Sequence, residues 1–442
     1  MSKPEVDGGG PDRSGQNRWS NWSGNVSFRP AQISSPRSVE ELVELISSAP
    51  GRIRPVGSGH SFTALAATEE TLVSLHEIEG DILSIDSNCS RARLNAGASL
   101  HQLSVALEHH GLGFKNLGDI DVQSLAGATS TATHGTGMGF PCLSAEIEEA
   151  TLVTASGELL SIGPGANSEL LHAVQVSLGA LGIVVDATVS VRPAYKLHRT
   201  TAVRPLSDTL VDAMDLWEAH RNYEFFTLPF CDYAFNVTHD ETTEADRRVG
   251  QGDDEASLRD LRRLRTLLSW SSPLRRFILN QVAKRTATED VVGTSWRLLA
   301  NERNTVFNEM EYHIPVDQGL DALAEVVHAI DSLRDVYFPV ECRRTAADES
   351  WLSPFHGGER ISIAVHAGRG DDVRWLFDTI EPIMRRRGGR PHWGKLHSMS
   401  APDLRDLYPE FDRFSRLRRE LDPHGVFLNP HTATLWGEAL DA

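Results

Sequence analysis

His60 is the first residue in the chain whose setting points to chemistry. It follows Gly57-Ser58-Gly59, which in turn follows the short run Ile53-Arg54-Pro55-Val56. The run reads as a short buried strand. The small residues read as a sharp turn whose successive N–H groups face one concavity, a nest suited to phosphate or pyrophosphate. An imidazole is then held at its rim. An ordinary glycine turn beside a surface histidine has the same local pattern, so the decision rests on what accompanies it. From Gly118 to Gly137 the chain is nearly free of large side chains, which makes poor core and a good ligand wall rich in hydroxyls. In residues 337–343 (YFPVECR) a period of two puts Glu341 and Arg343 on one face and Val340 and Cys342 on the other. The same rule in 361–366 turns His366 away from Ile361, Ile363 and Val365. Neighbouring strands could thus aim Glu, Arg and His at one cavity, whereas a surface ion pair would give Glu341 and Arg343 little meaning. In 390–395 (RPHWGK), Trp393 and Lys395 share a face and His392 takes the other.

The elements that must position these groups are mixed. Residues 1–18 are Gly, Pro and polar without periodicity and read as a disordered tail. Ser38 with Glu41 predicts a capping box for a helix with Val39, Leu42, Val43 and Ile46 on one face. Arg91 to Ala96 alternates as a strand, and Ser99 caps a helix that Gly111 stops. Residues 149–154 and 179–191, with a turn at Gly157 between them, read as strands that could close a first domain. From about Tyr195 the helices and strands lengthen. Arg259 to Phe277 reads as one helix with a solvated amphipathic face, and Ala401 to Leu421 as another. The pattern is α+β rather than regular βαβ winding.

Composition bounds the function. With 442 residues, two domains are expected, and 40% apolar with 24% charged residues describes a soluble globular chain. A net charge of −18 argues against nucleic acid and against anionic membrane surfaces. No apolar run long enough to span a membrane and no export signal is found, which points to a cytoplasmic protein. Cys89, Cys142, Cys231 and Cys342 are scattered and read as reduced thiols, neither a disulfide frame nor a metal site. No nicotinamide fingerprint, P-loop or nucleophile elbow is present. The sequence specifies no oligomeric state.

Taken together, GSGHSF (57–62), SLAGATSTATHGTG (124–137), EMEYHIP (309–315), ECRRTAADESWLSP (341–354) and RPHWGK (390–395) make the chain resemble the FAD-linked oxidases of the vanillyl-alcohol oxidase type. Within them it is similar to the branch of sugar-1,4-lactone oxidases and alditol oxidases. The resemblance runs from about Trp19 to Pro430. It implies a two-subdomain FAD-binding domain over 19–194, an antiparallel-sheet substrate domain with flanking helices over 195–388, and a segment over 389–442 that returns to the FAD domain and active site.

By the same resemblance, Pro55, Val56, Gly57, Ser58, Gly59, His60 and Ser61 hold the pyrophosphate end. Ser124, Gly127, Ser130, Thr131 and Ala132 line the flavin, with His134, Ile183 and His392 also at the cofactor. His60 matches the histidine joined covalently to the flavin. Gly118 matches a position beside the flavin edge where dioxygen arrives, which favours an oxidase because glycine offers no Cβ to block it. Asp119 departs from the serine of alditol oxidases, which counts against the polyol reading. Glu341, Arg343, His366 and Lys395 match the groups facing substrate. The implied reaction removes hydride from a carbinol carbon of a sugar lactone or polyol, with dioxygen reduced to hydrogen peroxide. The residues agree: His366 or Lys395 could take the hydroxyl proton, and Lys395 could meet developing negative charge. A dehydrogenase serving a quinone or cytochrome, and a flavin-binding protein without turnover, are the alternatives.

Overall fold

A computed structural model of the protein describes residues 17–88, 90–250 and 254–440. The predicted tail lies almost wholly outside these residues, as does Cys89. Cys142, Cys231 and Cys342 are free and buried. No helix among the described residues is long and apolar enough to cross a membrane.

The small-residue turn after Val56 is carried by a three-stranded parallel sheet. Thr71–Ser74 lies at its centre, between Gln32–Ser34 and Ile53–Val56. Helix Val39–Ser48 covers it, packing Leu42 and Ile46 into a core with Ile53 and Val73. Ser38 accepts from the Glu41 N–H at 3.2 Å as expected, but the Glu41 carboxylate turns to the Arg37 N–H at 2.7 Å, so the box is only half formed. A box does close at Ser99 with Gln102, heading Leu100–His109. That helix buries Leu100, Leu103 and Leu107 in the core shared with an antiparallel sheet centred on Ile183–Pro193.

The largest element is a nine-stranded antiparallel sheet. Five strands carry the argument, in the order Asn222–Thr227, Val340–Thr345, Arg360–Gly368, Phe307–Pro315 and Arg390–Pro391. Alternation divides their side chains. Tyr223, Phe225, Met310, Tyr312, Cys342, Ile361 and Ile363 are buried with Ala213 and Trp217 of helix Leu206–Ala219 and Ala322, Leu323 and Val326 of helix Val316–Ile330. Register therefore sends Glu224, Arg343 and Ser362 to the other face in one row, with Glu341, Ala364 and Glu311 in the next. A one-residue slip would exchange core for site, and burial on the helix side forbids it.

Two predicted helices are each broken. Asp254–Leu268 and Ser272–Ala283 are separate, since Ser271 caps the second and Pro273 sits in its first turn. Ala401–Leu407 and Phe411–Leu421 part at Tyr408-Pro409, because proline disfavours helical geometry in the residue before it.

The chain finally returns to where it began. The Ile53 N–H donates to the Val426 carbonyl at 2.8 Å, and Phe427 is buried against Ile53. Asn429 Nδ2 donates to the carbonyls of Ala64, Leu65 and Ala67 at 2.8, 3.1 and 2.8 Å. Arg54, 1% exposed, donates to the carbonyls of Leu65, Leu178 and Gly179 at 2.8, 3.0 and 3.2 Å, and to that of Phe427.

Candidate active site

A cavity of about 170 Å³ runs between the parallel sheet and the 124–131 wall. Pro55, Val56, Gly57, Ser58, Gly59, His60, Ser61, Ser124, Gly127, Ser130, Thr131 and Ile183 all line it. Two glycines are demanded by close approach. A Cβ on Gly57 would stand 2.2 Å from Ser124 Oγ, and Gly59 has φ +70° with its Cβ position 2.8 Å from the Trp19 ring. Side chains are thus excluded where backbone must face a ligand, and the lining supplies N–H groups and hydroxyls without a carboxylate. That donor set suits the pyrophosphate of FAD.

His60 links this cavity to the large sheet. Its ring stacks on Trp22 at 5.2 Å; Trp22 meets Phe307 at 5.2 Å, and Phe307 meets His366 at 5.0 Å. This aromatic chain joins the 57–61 loop to the polar face of the large sheet. Burial, assisted by the Lys395 charge, pulls the His60 imidazole down to about 4. Lys395 arrives by a turn rather than a strand: its N–H donates to the His392 carbonyl at 3.0 Å. The expected alternation fails there, so Trp393 enters the core, with its Nε1 on the Leu352 carbonyl at 2.6 Å. The Lys395 ammonium pairs with Glu309 and lies 5.1 Å over the Phe62 ring.

Four more groups fill the face. Arg343 Nε donates to Glu224 at 2.7 Å, while its Nη2 makes an ion pair with Glu341 that lacks hydrogen-bond geometry. Burial pushes the Glu341 carboxyl well up against the pull of Arg343, and Glu224, Asp119 and Glu311 push the same way. His366 Nδ1 donates to the Pro339 carbonyl at 3.0 Å, leaving Nε2 with the lone pair, 3.8 Å from Glu309. Burial lowers this imidazole, against the raising influence of Glu309.

Asp119 faces the ionic network rather than the long cavity. It accepts from Arg303 at 2.7 and 2.9 Å and from Asn301 at 2.7 Å, with Arg343 at 4.0 Å. Burial alone would raise it; Arg303 and Arg343 outweigh that and hold it at about 2. Gly118 and His134 line a separate small recess, and Ala132 is fully buried at φ 58°. The direction of a Gly118 Cβ is not open: it would meet Thr133 Cγ2 at 2.9 Å and the His134 carbonyl at 3.0 Å. Close packing is therefore sufficient reason for a glycine at this position. His134 meets Glu311 Oε1 at 2.9 Å and the Gly135 carbonyl at 2.8 Å, and its ring lies 4.9 Å from that of His313 and 5.9 Å from that of His392.

Sequence reasoning did not single out Glu224, Arg303, Glu309, Glu311 or His313. For three of them the signal was present, since period two within EMEYHIP puts Glu309, Glu311 and His313 on one face. Arg303 and Glu224 carry no such signal, because their partners lie 184 and 119 residues away.

Comparison with known proteins agrees with the geometry. The family described as D-arabinono-1,4-lactone oxidase matches residues 187–435, and an FAD binding domain family matches residues 30–163. The L-gulono-1,4-lactone dehydrogenase of Mycobacterium tuberculosis is 36% identical over 95% of this chain and 99% of its own. The L-gulonolactone oxidase of Scyliorhinus torazame is 29% identical over 93% and 96%. The alditol oxidase of a Streptomyces species is 29% identical over 92% and 96%. Among solved structures a solvent-stable cholesterol oxidase superposes with a TM-score of 0.77 at 16% identity, over 95% of this chain and 97% of that one, a likeness of fold alone. The chain belongs to the D-arabinono-1,4-lactone oxidase family, within the sugar-lactone and alditol oxidase branch of the vanillyl-alcohol-oxidase-type flavoproteins.

Proposed function

We propose that the protein oxidises a carbinol carbon of a sugar-1,4-lactone or polyol, using FAD held between the 57–61 loop and the 124–131 wall, with dioxygen as the electron acceptor. Residues 19–194 with 389–442 form the FAD domain, and 195–388 form the substrate domain. The observation that carries the reading is the meeting of Glu341, Arg343, His366 and Lys395 on one face adjoining His60. Bound FAD supplies the hydride acceptor that no side chain provides. Arg343 offers a fork of donors, and Glu341, whose protonated form burial favours, can donate to or accept from a substrate hydroxyl. His366 Nε2 is the base for the hydroxyl proton, since the Pro339 bond fixes the proton on Nδ1. The Lys395 charge, oriented by Glu309, meets negative charge as it develops.

His366 must be neutral to act. Its depressed pKa keeps it so below the ordinary 6.5, so kcat/KM should hold at pH 6.5 and fall only on further acidification. His366→Gln should lower the rate about 100-fold or more and abolish that acid limb. An unchanged limb in the variant would remove His366 from the role.

Covalent attachment of the flavin through His60 is part of the proposal. The supporting observation is an imidazole lining the cavity and held neutral at ordinary pH. Acid-precipitated protein should give a yellow pellet, and the peptide containing His60 should carry the flavin mass; a colourless pellet from loaded enzyme refutes attachment. The free thiols Cys142, Cys231 and Cys342 support a reducing compartment, which we take to be the cytoplasm, to be checked by fractionation.

A second reading passes the electrons to a quinone or cytochrome. It is favoured by Gly118, where packing against Thr133 is sufficient reason for glycine without an oxygen path, and by the relative named a dehydrogenase. Aldonolactones, alditols and reducing sugars should be screened in air for peroxide and, in parallel, for dye reduction. Dye reduction without peroxide selects the second reading. No flavin bleaching by any of them defeats both.

A further inference from the structure

The hairpin of Asp254–Leu268 and Ser272–Ala283 has two apolar faces, and only one is covered. On the inner side Leu261, Leu264, Leu279 and Ala283 pack on Phe230 and Cys231. The Arg275 guanidinium lies 4.4 Å over the Phe230 ring and donates to the Arg334 carbonyl at 3.1 Å, while Arg265 pairs with Asp371 at 3.2 Å. These contacts anchor the hairpin without using its other side. There Leu267, Trp270, Leu274 and Phe277 are 70%, 71%, 38% and 61% exposed. They follow one another at spacings of three, four and three residues across the turn, and Trp270 Nε1 donates to the Leu267 carbonyl at 3.0 Å. Scattered apolar residues on a surface need no explanation, but a cluster of this kind marks an interaction site.

Charge identifies the occupant. The whole chain carries −18, yet residues 254–285 hold eight Arg and Lys against three Asp and Glu; of the eight, Arg275 is buried, and Arg265 and Arg276 pair with Asp371, Asp232 and Asp331. Arg262, Arg263, Lys284 and Arg285 are exposed. A second copy meeting this face across a two-fold axis would oppose like charges. An anionic bilayer instead accepts both parts of the surface, the indole and leucines at the acyl boundary and the basic groups among the headgroups. The negative remainder of the molecule would be held away from the same surface, which sets an orientation. We propose that this hairpin tip docks the protein on anionic phospholipid surfaces by shallow insertion of Leu267, Trp270, Leu274 and Phe277. The inference is independent of the substrate reading.

The test is co-sedimentation of the full chain with vesicles of phosphatidylcholine alone, or of phosphatidylcholine and phosphatidylglycerol in equal parts. The protein should pellet with the second and not the first, and release as salt is raised. Trp270→Ser with Phe277→Ser should weaken binding at least about tenfold while leaving flavin content and turnover with a soluble acceptor unchanged. The proposal is overturned if wild type stays in the supernatant with both vesicles, or if the double variant binds as wild type does. It is also overturned if sedimentation velocity without lipid shows a dimer that the variant makes a monomer.

Discussion

Replacing Lys395 by methionine is expected to lower kcat about 100-fold or more while the flavin stays bound and KM moves little. The ammonium is fixed by Glu309 and flanked by His60, His366 and Phe62, so its charge is preorganised where charge develops and costs no rearrangement at that moment. The variant leaves Glu309 without its lysine, which argues for pairing it with Lys395→Met/Glu309→Gln. That double variant removes the orphaned carboxylate and should remain just as slow. Arg343→Met is a harsher change, because Glu224, Glu341 and Asp119 all face the guanidinium; Arg343→Lys keeps the charge and loses the fork. Stopped-flow reduction of the flavin isolates the chemical step. If Lys395→Met is reduced at the wild-type rate at saturating substrate and only KM rises, the lysine is a binding group.

Much of this site could be read before folding, for a physical reason. Side chains in a strand alternate with a period of two, so Glu341 and Arg343 had to share a face once that strand was recognised, and the same rule would have delivered Glu309, Glu311 and His313. The small-residue turn before His60 was equally legible, since glycine is needed wherever backbone approaches backbone. What could not be read was long-range. Trp22 stacking on His60, or Asp119 reaching Arg303, depends on how two distant pieces meet. Local periodicity also misled where the backbone leaves the strand, as at Trp393-Gly394, and where a helix is cut by capping residues, as at Ser271 and Pro273.

Arg54→Leu should be the most damaging substitution away from the chemistry. The guanidinium is enclosed and serves four carbonyls from three separate stretches of chain. Burial lowers its pKa to about 10, against the pull of Asp422, so it remains charged at neutral pH. Leucine would fill part of the space and leave those carbonyls unpaired in the interior. A loss of about 4 kcal/mol or more is expected. The residue also lines the cavity proposed for the cofactor, so flavin content should fall with stability. Urea unfolding followed by flavin and by tryptophan fluorescence reads both, and a variant with the wild-type midpoint and full flavin would contradict the role given to Arg54.

The same seam governs when the protein can be finished. The strand and turn proposed to cradle the cofactor lie near residue 55, yet the Ile53 N–H is held by the Val426 carbonyl, the Arg54 side chain by that of Phe427, and the Ala64 carbonyl by the Asn429 side chain. Asp422 in turn holds the N–H groups of Val426 and Phe427 at 2.8 and 2.9 Å. Domains commonly fold in the order in which they are translated; here the first-made domain must wait for residues 422–429, which follow the whole central sheet in the chain. A nascent chain arrested before residue 420 should therefore bind no flavin, and coenzyme loading in the cell should follow synthesis of the 422–429 segment instead of accompanying that of the first domain.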